Sequence, residues 1–365
     1  MVDSVLRDAV ARRLRSDTEL AEHNLDRSLL RRAVARALAA EGVVASPERW
    51  AQLVRDLVDE LGGFGPLERL LRDPGVTDIM VNRPDEVFVE RAGTLERSAA
   101  TFDDDDHVRT VIARALGPVG ARLDRTQPYV DVVLSGGIRL HAVIPPLATC
   151  PTMTLRRVPA VAPTWDELRE SGSVSDVHAS QLRSMVQRRR NIVVAGRAGV
   201  GKTTLLSCML AEVGGDRVVV IEDTPEIRQP GTHTVHLRTR EPSAEGVGAV
   251  TIADLVRNAL RMRPDRIVVG EVRGVEVADL LQAMNTGHAG SLCTVHANSA
   301  ADALVRIEGM ALLAGVPLAA ARAQMAAAID LVVAMDRDGA GQRVVTEIAR
   351  VERSGDGLQL VEVND

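Results

Sequence analysis

Asn191-Ile192-Val193-Val194-Ala195-Gly196-Arg197-Ala198-Gly199-Val200-Gly201-Lys202-Thr203-Thr204 is the stretch that decides the fold of this 365-residue chain. It holds the pattern G-x-x-x-x-G-K-T, and its flanks supply the context that such a phosphate-binding loop requires. Residues 191–195 form a short β-branched run that predicts a buried strand, and residues 203–213 predict a helix closed by Gly214-Gly215. Strand, glycine loop and helix N-terminus together aim backbone N–H groups and a positive dipole end at phosphate. Of the 44 Lys and Arg residues, Lys202 alone is lysine. A P-loop leaves room for a compact ammonium between β and γ oxygens but not for a planar guanidinium fork. Gly196, Gly199, Gly201, Lys202, Thr203 and Thr204 are therefore the expected nucleotide contacts.

Working outward, 45% hydrophobic residues and this length predict a globular protein of two domains with sizeable cores. A net charge of −6 gives no general electrostatic reason to bind nucleic acid or anionic lipid. The runs Arg12-Arg13, Arg31-Arg32 and Arg188-Arg189-Arg190 read as solvated helix faces or helix ends. No apolar run reaches the ~18 residues of a membrane span, and the first 15 residues are charged where a signal peptide needs its apolar centre. A cytoplasmic location is expected. Cys150, Cys208 and Cys293 stand too far apart for a disulfide framework or a four-cysteine zinc site, and read as buried, unreactive thiols. Aromatic residues make up 2% and none comes after Trp165, so the motor domain lacks the rings that grip single-stranded nucleic acid.

Periodicity divides the chain into a helical arm over 1–61, an α/β domain over 62–157, a proline-rich linker over 158–172 and an α/β domain over 173–365. Ser46-Pro47-Glu48 starts the last arm helix and Gly62-Gly63 ends it. In the second region short strands alternate with turns, one of them at Ala92-Gly93, and a helix over about 107–116 interrupts them. The four acids Asp103 to Asp106 before that helix read as capping and dipole complement in preference to a metal cluster. In the last region strands at about 191–195, 218–222, 234–238, 266–270, 291–295 and 330–335 alternate with helices.

Residues 218–221 end in Glu222-Asp223-Thr224-Pro225-Glu226, placing three carboxylates at the C-terminal end of a buried strand, where open α/β sheets bind ligands. A carboxylate there can orient and deprotonate water near a γ-phosphate. Asp265-Arg266-Ile267-Val268-Val269-Gly270-Glu271 resembles a Walker B strand with glycine where the metal-holding aspartate is usual. Mg²⁺ would be held by Thr203, phosphate oxygens and water, with Glu271 nearby and Glu222 as the acidic-cluster candidate ligand. The bland reading of Glu271 is a strand-end acid paired with Arg273. His296 comes directly after a strand and suits a γ-phosphate sensor; His288 precedes it and is either a further nucleotide contact or a loop residue. Arg238 and Arg240, before Glu241-Pro242, are placed either as arginine fingers or on the surface. A single lysine excludes an Asn-Lys-x-Asp guanine reader and a protein-kinase strand lysine, which leaves ATP as the expected fuel.

Taken together, the P-loop, the Glu222–Glu226 acidic box, Gly270-Glu271-Val272-Arg273-Gly274 and the Thr286-Gly287-His288 … Thr294-Val295-His296-Ala297-Asn298-Ser299 box resemble the secretion and pilus traffic ATPases, nearest the CpaF-like branch that drives Flp/Tad pilus assembly. Gly63-Phe64-Gly65-Pro66-Leu67, Asp78-Ile79-Met80-Val81-Asn82 and Arg139-Leu140-His141-Ala142-Val143-Ile144-Pro145-Pro146 extend the resemblance. It implies a RecA-like P-loop motor domain behind a smaller, PAS-like α/β domain, assembled as a homohexamer that uses ATP and Mg²⁺ beside inner-membrane platform proteins. On the matching positions, Lys202 and Thr203 are phosphate and Mg²⁺ ligands, Glu226 the water activator, Glu271 the Walker B glutamate and His296 a phosphate contact; Arg139 and Arg156 reach nucleotide from the N-terminal domain. No direct nucleic-acid contact is expected, and membrane association would run through partners. The absent zinc cysteines and the long arm set the chain apart from type II assembly ATPases and from retraction motors. A conjugative type IV secretion ATPase, a nucleic-acid motor on the same fold and a non-hydrolysing nucleotide-gated scaffold are the competing readings.

Overall fold

Leucine, valine and alanine at helical spacing build three arm helices, α1 (Ser4–Arg15), α2 (Arg27–Ala40) and α3 (Pro47–Gly62). The structure is a computed structural model that describes residues 4–15, 27–91, 93–158, 161–228, 233–240, 242, 247–355 and 357–363. Ala92 of the expected turn, Pro159-Ala160 of the expected linker and Glu241 lie outside the described residues. The chain separates into two units, Met1–Val158 and Pro159–Asp365.

In the first unit the arm has its own core, with Val10, Leu30, Val34, Leu38, Leu53, Val54, Leu57 and Val58 packed together. Ser46 caps α3 by accepting from the N–H of Arg49 at 3.3 Å. The arm is fastened to the sheet domain by charge: the Asp59 carboxylate, 6% exposed, accepts from Arg27 at 2.6 Å and from Arg72 of α4 (Glu68–Arg72). Arg114 donates to the carbonyls of Glu60 and Gly63 at 2.7 and 2.8 Å.

Six antiparallel strands are arranged in the order β3-β2-β1-β6-β5-β4: β1 (Val76–Arg83), β2 (Glu86–Arg91), β3 (Thr94–Arg97), β4 (Tyr129–Leu134), β5 (Ile138–Val143) and β6 (Thr152–Arg157). One face buries Ile79, Val81, Val87, Val89, Leu140 and Leu155 against α5 (Asp105–Leu116), as the period-two pattern dictates. The four-aspartate run does what its position before α5 suggested. Asp104 caps the helix by accepting from His107 N–H at 2.8 Å, and Asp105 and Asp106 occupy the first turn.

The second unit opens with α6 (Trp165–Glu170) and α7 (Asp176–Gln187). Residues 164–172 were expected to be linker; instead a Thr164–Glu167 capping box starts α6, and Trp165 and Leu168 are buried in the second unit's core. A short helix with a tryptophan on its inner face escapes a reading dominated by the prolines before it.

Eight strands form the sheet β14-β13-β12-β7-β11-β10-β8-β9. β7 (Ile192–Gly196), β8 (Val218–Glu222), β9 (Thr234–Arg238), β10 (Arg266–Val272), β11 (Leu292–His296) and β12 (Leu331–Arg337) are parallel, and β13 (Arg343–Ser354) and β14 (Gly357–Glu362) add an antiparallel margin. β7, β8 and β10 are near-continuous runs of valine and isoleucine because both faces are covered, whereas the edge strand β9 is only partly buried. Val193, Val219, Ile267 and Val295 face α9 (Ile252–Ala259), α10 (Glu276–Asn285), α11 (Ala300–Leu313) and α12 (Leu318–Ala328). Ile192, Val194, Val220 and Leu292 face α6, α7 and α8 (Lys202–Leu210). Cys208 and Cys293 lie in these two layers, where burial pushes both thiols up to about 12.

Candidate nucleotide site

Because six strands run parallel, all their C-terminal ends meet at one sheet edge, and the sequence boxes meet there too. The loop after β7 leads into α8, and Gly201 caps that helix with φ +98°, a left-handed conformation that glycine adopts without strain. On one side of β7, β11 pairs so that His296 stands opposite Gly196; on the other, β12 places Met335 opposite the same residue. Glu271 is the penultimate residue of β10 and the acidic box starts at the last residue of β8, Glu222, with Arg238 at the end of β9 beside it.

Lys202 is 7% exposed, and its ammonium donates to the Arg197 carbonyl at 2.8 Å. Burial holds its pKa below the usual lysine value, opposed by the carboxylates of Glu271 and Glu226. Those two acids therefore share an electrostatic neighbourhood with the lysine. Glu271 Oε1 lies 3.3 Å from His296 Nε2. Burial and then the Lys202 charge pull His296 below its ordinary 6.5, with Glu271 opposing. Arg273, the alternative partner of Glu271, pairs with Asp223 of the acidic box instead. Thr203 and Thr204 begin α8 half-buried, so a hydroxyl and the helix N-terminus face the same edge.

Two of the candidates are engaged with other partners. Glu222, the acidic-box candidate for Mg²⁺, is 4% exposed: its Oε1 accepts from the N–H groups of Glu226 and Ile227 at 2.9 and 2.8 Å, and its Oε2 lies 3.9 Å from His236 Nδ1. His288 precedes β11 and so lies at the opposite, N-terminal edge of the parallel strands. Its Nδ1 sits 3.1 Å from the Ala283 carbonyl near the end of α10, and Ser291 donates to its carbonyl at 2.8 Å. This is the loop-residue alternative that the sequence left open, with β11 separating the two histidines.

Arg238 is exposed, while Arg240 is bound locally: its Nε donates to the Gly248 carbonyl at 2.6 Å and its backbone bridges Val250. Arg139 and Arg156 are in the first unit, on facing positions of β5 and β6. Arg139 holds Asp131 with two bonds of 2.9 and 2.6 Å, keeping that carboxyl below its usual range, and Arg156 Nε donates to Asp78 at 2.7 Å. The sequence motifs did not single out Arg337, which reaches the P-loop carbonyl of Gly199 at 3.4 Å from the end of β12. Its position at the end of a strand adjacent to β7 was the available signal. Ser207, one turn into α8, escaped as well; it donates to the Thr203 carbonyl at 2.8 Å and accepts from Arg228 N–H at 3.2 Å.

A glycine loop at the central strand of a parallel sheet, faced by two glutamates and a histidine, defines a P-loop protein of RecA-like fold. The chain belongs to the type II/IV secretion system protein family, which it matches over residues 60–350. A Mycobacterium tuberculosis protein named "Putative conjugal transfer protein Rv3659c" is 43% identical over 318 residues, 85% of this chain and 90% of that protein. The conjugal transfer protein TrbB of Rhizobium radiobacter is 35% identical over 82% of this chain and 91% of its own length. The type IV secretion system protein VirB11 of Brucella suis is 33% identical over 68% and 76%. The crystal structure of the pilus retraction motor PilT with bound ADP shares the fold at a TM-score of 0.54 and 23% identity, covering 80% of each chain.

Proposed function

We propose that this chain is an ATP hydrolase whose turnover drives a type II/IV secretion or pilus machine. One observation carries the reading: Lys202, Glu226, Glu271 and His296 converge at the edge where the P-loop opens, with charges that already sense one another. The P-loop N–H groups and Lys202 would hold the β- and γ-phosphates. Thr203 would supply the one protein hydroxyl to Mg²⁺, which fits because no group of three or more acidic, histidine or cysteine side chains among the described residues could hold the ion without phosphate. Mg²⁺ would neutralise phosphate charge. Glu226 and Glu271 are the two candidates for orienting and deprotonating water, and the neutral imidazole favoured by the lowered pKa lets His296 donate to a phosphate oxygen without being a second fixed cation. Arg238 is the exposed arginine for a neighbouring subunit's nucleotide in a homohexamer, and Arg139 and Arg156 are candidates for a reach from the N-terminal unit.

The test is phosphate release by the purified protein with Mg²⁺ and ATP. Lys202→Arg and Glu271→Gln should each lower kcat by about 10²–10³-fold while far-UV circular dichroism and oligomer size stay as in the parent. An arginine variant with parental turnover would refute the assignment of Lys202. Conjugal transfer and Flp/Tad pilus assembly are the two transport contexts. The names borne by the conjugal-transfer relatives support the first, the CpaF-like boxes the second. A peripheral cytoplasmic location through inner-membrane partners belongs to the same reading; no helix among the described residues is long and apolar enough to cross a membrane. Loss of mating-type DNA transfer or of surface pili on deleting the gene separates the contexts.

A further inference from the structure

The acidic box holds one carboxylate that is buried, that of Glu222. Glu222 ends β8 with 4% exposure, and a buried carboxylate costs several kcal/mol unless it is hydrogen-bonded. Its hydrogen bonds come from the backbone, Oε1 taking the N–H groups of Glu226 and Ile227 at 2.9 and 2.8 Å, while Oε2 lies 3.9 Å from His236 Nδ1 on β9. The next N–H, of Arg228, goes to Ser207 Oγ at 3.2 Å, and the same hydroxyl donates to the Thr203 carbonyl at 2.8 Å. Three consecutive amides are thus gripped by two buried side chains, one from β8 and one from the first turns of α8. Between them Ile227, fully buried, is sunk into the core beside α8. The backbone that carries Glu226 is therefore referenced directly to the helix that begins with Lys202 and Thr203.

A second observation explains the odd Walker B strand. Gly270 neighbours Glu222 in the parallel register of β10 and β8, one step beyond the Val269–Ile221 pair. A Cβ built on Gly270 would lie 2.9 Å from Glu222 Cγ, closer than real Cβ contacts occur. Its φ is not in the left-handed region, so the requirement is for space and not for backbone freedom. The room that an aspartate side chain would take on β10 is filled by the glutamate of the next strand.

We propose that Glu222 and Gly270 form one device, in which the buried Glu222 carboxylate is a positioning residue that fixes Glu226 against the P-loop helix, and Gly270 is glycine to house it. The proposal rests on the reading of this site as a nucleotide hydrolase. A misplacement of about 1 Å in a group acting on the water can cost roughly 10² in rate, so a small local release suffices to silence the site.

Glutamine keeps the accepting oxygen and loses the charge, which separates positioning from metal ligation or proton transfer. With turnover and nucleotide binding measured on the full chain, Glu222→Ala should lower kcat about 10²-fold with nucleotide affinity little changed, and Glu222→Gln should recover most of that loss. Gly270→Ala should lower kcat by crowding Glu222, and the Glu222→Ala/Gly270→Ala pair should be no worse than Glu222→Ala alone, since both act through one contact. Hydrogen exchange read at the amides of residues 226 and 227 should accelerate in Glu222→Ala and stay slow in Glu222→Gln. Parental kcat in Glu222→Ala, a glutamine variant as inactive as alanine, or fully multiplicative losses in the double variant would each overturn the proposal. Should the parent show no hydrolysis, the functional reading fails, and the exchange experiment still decides: unchanged protection in Glu222→Ala removes the positioning role. If Glu222→Ala does not fold, Gly270→Ala and Glu222→Gln carry the same contrast.

Discussion

At the scale of single residues, the site is a balance of opposed charges in a partly dry place. Lys202 loses proton affinity to burial and regains some from Glu226 and Glu271, so the loop holds a cation whose charge depends on its neighbours. His296 is shifted in the same direction, with burial and Lys202 favouring the neutral ring and Glu271 opposing them. Its folded pKa lies below the ordinary value of 6.5, so the unfolded chain takes up the proton first as pH falls. This contribution is absent above about pH 6.5 and destabilises progressively below it, levelling off once the folded ring also protonates. His296→Gln should therefore flatten the fall of Tm below about pH 6.5, measured by calorimetry at a few pH values; an identical slope in both proteins would contradict the assignment. Three members of this cluster were legible from the sequence because Lys202 opens a helix and Glu271 and His296 lie at strand ends, and Glu226 because it belongs to the acidic box that follows β8. The sequence did not disclose what each is bonded to. Glu222 read as a ligand because a carboxylate at a strand end is chemically able to be one, and its commitment to two backbone amides is a three-dimensional fact with no local signature.

At the scale of elements, β13 and β14 went unread, while the six parallel strands announced themselves, most as short apolar runs. The cross-links between them did not. Asn191 is 5% exposed and joins three elements: its Oδ1 accepts from Gly290 and Ser291 N–H groups at 2.9 and 3.0 Å before β11, and its Nδ2 donates to the Ala328 carbonyl at 2.7 Å at the end of α12. It sits at the foot of β7, at the sheet edge remote from the P-loop. Asn191→Ala leaves three buried polar groups without a side-chain partner and should cost about 2–4 kcal/mol, read from denaturant unfolding. Activity per folded molecule should hold, which distinguishes this asparagine from the residues at the other edge. Helix α6 shows the converse limit. Its capping box, Thr164 with Glu167, is written plainly in the sequence, yet the prolines ahead of it outweighed that signal.

At the scale of the molecule, the two units divide at Val158 and each has its own buried clusters, those of the arm and six-stranded sheet in one and the two faces of the eight-stranded sheet in the other. A chain of residues 161–365 should accordingly fold cooperatively and bind nucleotide, as checked by a sigmoidal thermal transition that ATP shifts upward; a fragment without a transition would show that its core needs the first unit. Composition marks where the chain changes character, but not that Trp165 packs into the core of the nucleotide-binding unit. That placement has a spectroscopic consequence. Of the chain's six Phe, Tyr and Trp residues, five lie at or before Tyr129 and only Trp165 falls in the second unit. At 8% exposure and set in an aliphatic layer beside α7 and α8, it should emit at short wavelength and redden on exposure. In a Trp50→Phe background the fluorescence of this protein becomes a single-site optical gauge of whether the nucleotide-binding half is intact, with no label attached.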